Sequence, residues 1–174
     1  MLRKRVHLIS LAVLLTSAFV VDTSADGHKR GLLEVEQIIF GMDCAPCAYG
    51  VEKGLKRLPG VLSVEVSLND GNVIVDFAAG SPVSLEDVRE TIRRNGFTPK
   101  DAKVRIVGEL RDVSGSLFLV IDSESRYELS GEQLGIREML ETLREGDKVE
   151  LIGYVPEATS QTSQLYVAEI ILPD

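Results

Sequence analysis

The sequence predicts an α+β chain in two parts, a β-α-β-β-α-β unit followed by a smaller half built mostly of strands. Three observations carry this. Between residues 33 and about 100, apolar residues switch between strand-like alternation and helical spacing in that element order. A hairpin pattern follows the first helix directly, and beyond residue 104 the spacing becomes that of short strands around a single helix.

Leu33 to Phe40 is rich in β-branched residues and reads as a strand, with Gln37 interrupting its alternation. Gly41 breaks it. Ala48, Val51, Leu55 and Leu58 then recur at helical spacing, Glu52 and Lys56 form an i,i+4 pair on the outer side, and Pro59-Gly60 ends the run. Val64, Val66 and Leu68 alternate with polar residues, Asn69-Asp70-Gly71 turns the chain, and Val73, Val75 and Phe77 alternate back. Ser84 is a good N-cap, with Glu86 and Asp87 in the first turn and Leu85, Val88 and Ile92 facing inward. Asn95-Gly96 closes this helix, and a last short strand begins near Phe97, where Pro99 suggests a sheet edge. This order, over residues 31–103, is the ferredoxin-like split βαβ arrangement, with both helices on one face of a four-stranded antiparallel sheet.

Residues 104–174 read differently. Val104 to Leu110 is a strand in which Gly108 suggests a bend or bulge, and Leu117 to Ile121 and Arg126 to Leu129 are short strands. Ser130 with Gln133 resembles a capping box before a helix carrying Ile136, Met139, Leu140 and Leu143 and ending at Gly146. Lys148 to Val155 and Gln164 to Leu172 complete the set, with the hydroxyl run Thr159 to Ser163 as an exposed loop between them. The element order is that of a small OB-like β-barrel. No Pro/Gly/Ser-rich linker separates the halves, so they are expected to touch.

The first 25 residues read as a signal peptide. Arg3, Lys4 and Arg5 precede an apolar run from Leu8 to Val21, and Thr23-Ser24-Ala25 supplies small residues for cleavage. The expectation is a periplasmic or secreted protein with no stable membrane insertion after signal removal. Residues 26–174 carry 16 Lys+Arg and 26 Asp+Glu, a net −10. Over residues 104–174 the balance is 6 against 14, the wrong sign for neutralising phosphates, so nucleic-acid binding by the barrel is excluded. That half has no His or Cys, and its acidic residues read as a solvated surface with a docking or stabilising role.

Both cysteines lie in GMDCAPCAYG, residues 41–50. Outside the cytoplasm such a pair is a disulfide, a redox couple or a metal clamp. Cys44 in the loop and Cys47 in the first helical turn sit where unpaired N–H groups and the positive end of the helix dipole favour thiolate. Two converging soft thiolates suit Cu(I) or Hg(II), whereas zinc seeks four ligands. C-A-P-C after a strand also looks like a thiol-disulfide oxidoreductase motif, although the frame here closes by about Lys103.

GMDCAPCA resembles the GMTCxxC loop of the heavy-metal-associated domain family, found in copper chaperones, in the N-terminal modules of metal-transporting ATPases and in the periplasmic mercury-binding protein. The likeness continues through LPGVLSVEVSLNDGNVIVDF (58–77) and NGFTPK (95–100). The resemblance implies Cys44 and Cys47 as ligands of one soft ion, Cu(I) first, with Hg(II) or Zn(II)/Cd(II) as alternatives. It implies Met42 as a buried apolar prop and Phe97 as an aromatic facing the metal, its ordinary alternative being a core ring. Position 43 departs from the copper pattern. Asp43 matches the GMDC loop of zinc-, cadmium- and lead-transporting ATPases, where the Asp can supply an oxygen if a divalent ion is bound; its ordinary alternative is a solvated loop carboxylate or a charge at the helix N-terminus. The implied protein is not an enzyme but a carrier whose partner is a metal-transporting ATPase, an efflux component or a metalloprotein acceptor. An interaction protein acting through the acidic barrel is the third reading. Cleavage after Ala25 would also expose Asp26-Gly27-His28, whose amine, amides and imidazole suit square-planar Cu(II) or Ni(II).

Overall fold

The computed structural model describes residues 29–157 and 163–172. The signal segment, the Asp26-Gly27-His28 tripeptide and residues 159–162 of the hydroxyl run lie outside the described residues. Among the described residues, eight strands and three helices follow one another as β1 (Gly31–Phe40), α1 (Ala45–Leu55), β2 (Val61–Ser67), β3 (Asn72–Phe77), α2 (Leu85–Arg94), β4 (Thr98–Val113), β5 (Ser116–Val120), β6 (Arg126–Ser130), α3 (Leu134–Thr142), β7 (Lys148–Val155) and β8 (Ser163–Ile171).

In the first half the strands lie in the order β2-β3-β1-β4, all antiparallel. This is the expected ferredoxin-like arrangement. Alternation puts Val35, Gln37 and Ile39 of β1 and Val73, Val75 and Phe77 of β3 on the buried side. Val51 and Leu55 of α1 and Leu85, Val88 and Ile92 of α2 join the same core. Burying each of these large side chains stabilises the fold by about 1.5–3 kcal/mol. α2 starts with a full capping box, in which Ser84 accepts from the Asp87 N–H and the Asp87 carboxylate accepts from the Ser84 N–H. Asn95 is its C-cap, and Glu52 and Lys56 pair on α1 as their spacing requires.

The two strands expected around residues 97 and 104 are one. β4 runs 16 residues without a break, so the expected boundary at 103/104 falls inside it. Inward-facing Ala102, Val104 and Ile106 continue a single alternation, and no turn residue interrupts it. Nor is β4 an edge strand, because β1 pairs along one side and β7 along the other from Ala102 to Glu109. Pro99 is tolerated because it precedes the β7 pairing, where a missing N–H is not needed.

β4, β5, β6, β8 and β7 pair in succession, and β7 closes back on β4, making a five-stranded ring with β6 and β8 parallel. Gly108 makes no bulge here, since its pairing with Val149 is in register. It is small because a Cβ there would lie 2.6 Å from Leu119 Cγ, so the glycine admits the ring's own core. The expected Ser130–Gln133 capping box does not form. Ser130 ends β6, and Gln133 caps α3 with no side-chain hydrogen bond. α3 ends at Thr142 and buries none of its residues fully; Ile136 and Leu143 rest on the edge of the core while Met139 is exposed. Helical spacing alone signalled an apolar face, but Leu119, Tyr127, Leu151 and Leu165 already fill the ring.

Candidate metal centre

β1 delivers the chain to Gly41, whose φ of +89° is strained for any residue with a side chain. The turn drops Met42 into the core, where it is 4% exposed, and leaves Asp43 in solvent. Cys44 is the N-cap of α1 in extended conformation, and its carbonyl accepts the Ala48 N–H at 3.0 Å. Its Sγ accepts from the Cys47 backbone N–H at 3.2 Å. Pro46 sits in the first turn, where its missing N–H costs nothing. No acidic side chain lies in that turn to offset the positive helix end.

Cys44 and Cys47 are both half-buried, and they are joined as a disulfide with Cα atoms 5.1 Å apart. One carboxylate oxygen of Asp43 and the two sulfurs all lie within 4.8 Å of one another. Once the disulfide is reduced, this donor set fits a soft ion: two sulfurs at a helix N-terminus, with one hard oxygen available to a divalent ion. Met42 underlies the loop, and Phe97 packs on the core beside it, its Cδ1 4.0 Å from where a Cβ on Gly41 would stand. The structure thus brings Asp43, Cys44 and Cys47 together, with Met42 buried and Phe97 packed on the core near Gly41. Asp26, Gly27 and His28 lie outside the described residues.

A second polar cluster lies between β1 and α2. Arg89 is only 3% exposed and Gln37 is fully buried. Arg89 Nε donates to Gln37 Oε1 at 3.2 Å, and burial holds the guanidinium's pKa below its ordinary value, opposed by nearby Glu86. The sequence carried a signal for both. Gln37 occupies an inward position of β1, and Arg89 continues the Leu85, Val88, Ile92 stripe at helical spacing.

The model of the heavy-metal-associated domain family matches residues 37–98. The copper chaperone CopZ of Staphylococcus epidermidis is 38% identical over 62 residues, covering 36% of this chain and 90% of that protein. The copper-exporting P-type ATPase of Bacillus subtilis is 38% identical over 69 residues, or 38% of this chain. A probable copper-transporting ATPase of Arabidopsis thaliana is 37% identical over 82 residues, or 47% of this chain. The chain spans only 9% and 7% of the length of these two ATPases.

Proposed function

Since the chain belongs to the heavy-metal-associated domain family, we propose that it is an exported carrier that holds one Cu(I) ion between Cys44 and Cys47 and passes it on by ligand exchange. The observation that carries this reading is the convergence of two sulfurs at the first turn of α1, with a backbone N–H directed at Cys44 Sγ. The ion is cargo. A dithiol reductant first delivers two electrons and two protons to the disulfide, giving two thiols. Metal then displaces the thiol protons, a loss the helix N-terminus favours. A two-sulfur site at the surface lets an incoming thiolate add before either original sulfur leaves. The relatives named for copper transport support both the ion and an acceptor of the metal-transporting ATPase kind; an efflux component or metalloprotein would meet the same chemistry. Hg(II) fits the same sulfurs, and Zn(II) or Cd(II) would draw on Asp43.

The basic start, apolar run and small residues before Asp26 support export to the periplasm or beyond. The strand order and parallel closing pair support an OB-like reading of the ring, whose acidity argues against nucleic acid. On this reading the chain transfers an ion rather than catalysing a reaction.

The disulfide itself favours a second reading, a thiol-disulfide oxidoreductase working through the same pair. One experiment separates the two. The reduced chain, freed of residues 1–25, is titrated anaerobically with Cu(I), Hg(II) and Zn(II) against competing chelators, beside Cys44→Ser/Cys47→Ser. One equivalent of Cu(I), lost in the double variant, is expected. Absence of tight cysteine-dependent binding, together with metal-free reductase activity, would establish the second reading instead.

A further inference from the structure

The far half of the molecule reaches the strand segment that leads into the metal loop. Between Gln37↔Ala102 and Ile39↔Pro99 the register of β1 against β4 shifts, with two steps along β1 facing three along β4. Such a bulge frees carbonyls on the longer side. The buried pair answers them. Gln37 Nε2 donates to the carbonyls of Lys100 at 2.8 Å, Asp101 at 3.1 Å and Ile38 at 2.9 Å. Arg89 Nη2 lies 3.3 Å from the Lys100 carbonyl and also donates to Val155 O at 3.0 Å and Pro156 O at 2.9 Å, at the end of β7.

Two further ties join the same places. Lys100 Nζ bonds the Glu157 carboxylate at 2.9 Å and lies 5.9 Å from the centroid of Phe40, the residue before Gly41. The Glu157 N–H donates to Asp101 Oδ1 at 2.7 Å. A cavity of about 200 Å³ lies here, walled by Arg89, Arg93, Phe97, Thr98, Pro99 and Glu157, so the ring side forms part of the surroundings of Phe97.

We propose that Arg89 is a positioning residue that makes the five-stranded ring part of the metal site. It clamps the bulge from which β1 enters the Gly41–Cys47 loop to the end of β7, and so fixes the loop against Phe97. This rests on the reading of Cys44 and Cys47 as the metal ligands. An ammonium cannot reproduce the clamp, because the planar guanidinium reaches Gln37 and the carbonyls from different nitrogens at once.

The test uses the whole chain with Arg89→Met, Arg89→Lys and, as a control, Leu165→Ala, which opens the ring's core away from the clamp. Three quantities are read: urea stability, Cu(I) affinity against a chelator, and amide hydrogen exchange of Met42 to Ala48 in reduced, metal-free protein. Arg89→Met is expected to weaken Cu(I) binding about tenfold, the lower range for outer supports of metal ligands. It should also speed exchange in the loop while β2 and β3 amides keep their protection. Arg89→Lys should recover the affinity in part, and Leu165→Ala should leave loop exchange and affinity unchanged. Unaltered affinity and exchange in folded Arg89→Met would overturn the proposal, as would an equal loss in Leu165→Ala. Should Arg89→Met not fold, Lys100→Met cuts the exposed ties to Glu157 and Phe40, and faster loop exchange is again required. Failure of the wild-type chain to bind Cu(I) would sink the functional reading alone, since the exchange measurement decides the positioning role without metal.

Discussion

Serine and alanine at position 44 should separate metal binding from helix stability. Both substitutions remove a sulfur ligand and both prevent the disulfide, so neither differs from the other in cross-linking. They differ at the cap. Cys44 Sγ accepts the Cys47 N–H at 3.2 Å as the N-cap of α1. A serine hydroxyl accepts that N–H at least as well, whereas alanine leaves the donor to water, at a cost of about 1 kcal/mol. For a cooperative unit of this size that is roughly 2–4 °C in melting temperature. Thermal melts of metal-free Cys44→Ser and Cys44→Ala under reducing conditions read the difference directly, and Cu(I) titration of both reads the ligand loss. The expected result is that neither variant binds Cu(I) tightly and that alanine melts lower. Coincident melts would refute the capping role, and retained tight binding in the serine variant would refute the two-sulfur site.

Three other outcomes follow from the geometry. Burial pushes the Tyr127 phenol up to about 12 from 10.0, with Arg89 opposing. Because the folded state holds the proton more tightly, this stability is complete below pH 10 and falls away between pH 10 and 12, by roughly 2–3 kcal/mol. Tyr127→Phe should remove that part of the decline in urea midpoints measured over this range, and identical slopes would contradict it. Gly108→Ala drives a Cβ to 2.6 Å from Leu119 Cγ and should cost about 1–3 kcal/mol, while Gly108→Ala/Leu119→Ala should be less damaging than the sum of its parts. Strict additivity in denaturation would rule out that contact. Asp43→Ala should leave Cu(I) affinity intact and weaken Zn(II) or Cd(II), as competition titrations would show; equal weakening of all ions would remove Asp43 from any selective role.

The elements from Leu33 to Arg94 and the chemistry of the loop were legible in the order of residues, because those features are local. Alternation marks which face of β1, β2 and β3 is buried; Ser84 and Asp87 cap their own helix; and a two-residue gap between Cys44 and Cys47 spans one helical turn whatever surrounds it. The element order of the second half was legible for the same reason. The features that were not legible are non-local. β4 is one strand because β1 and β7 both pair with it, and those partners lie 58 to 76 residues before it and 39 to 53 residues after it along the chain. α3 carries an apolar spacing that the ring does not need, since the ring's own strands fill its core. Gln37 looked like a polar interruption of an alternating strand, and Arg89 went unread. They are buried because folding gathers carbonyls of Lys100, Asp101, Val155 and Pro156 at a single point, and these two side chains supply the donors that buried carbonyls require.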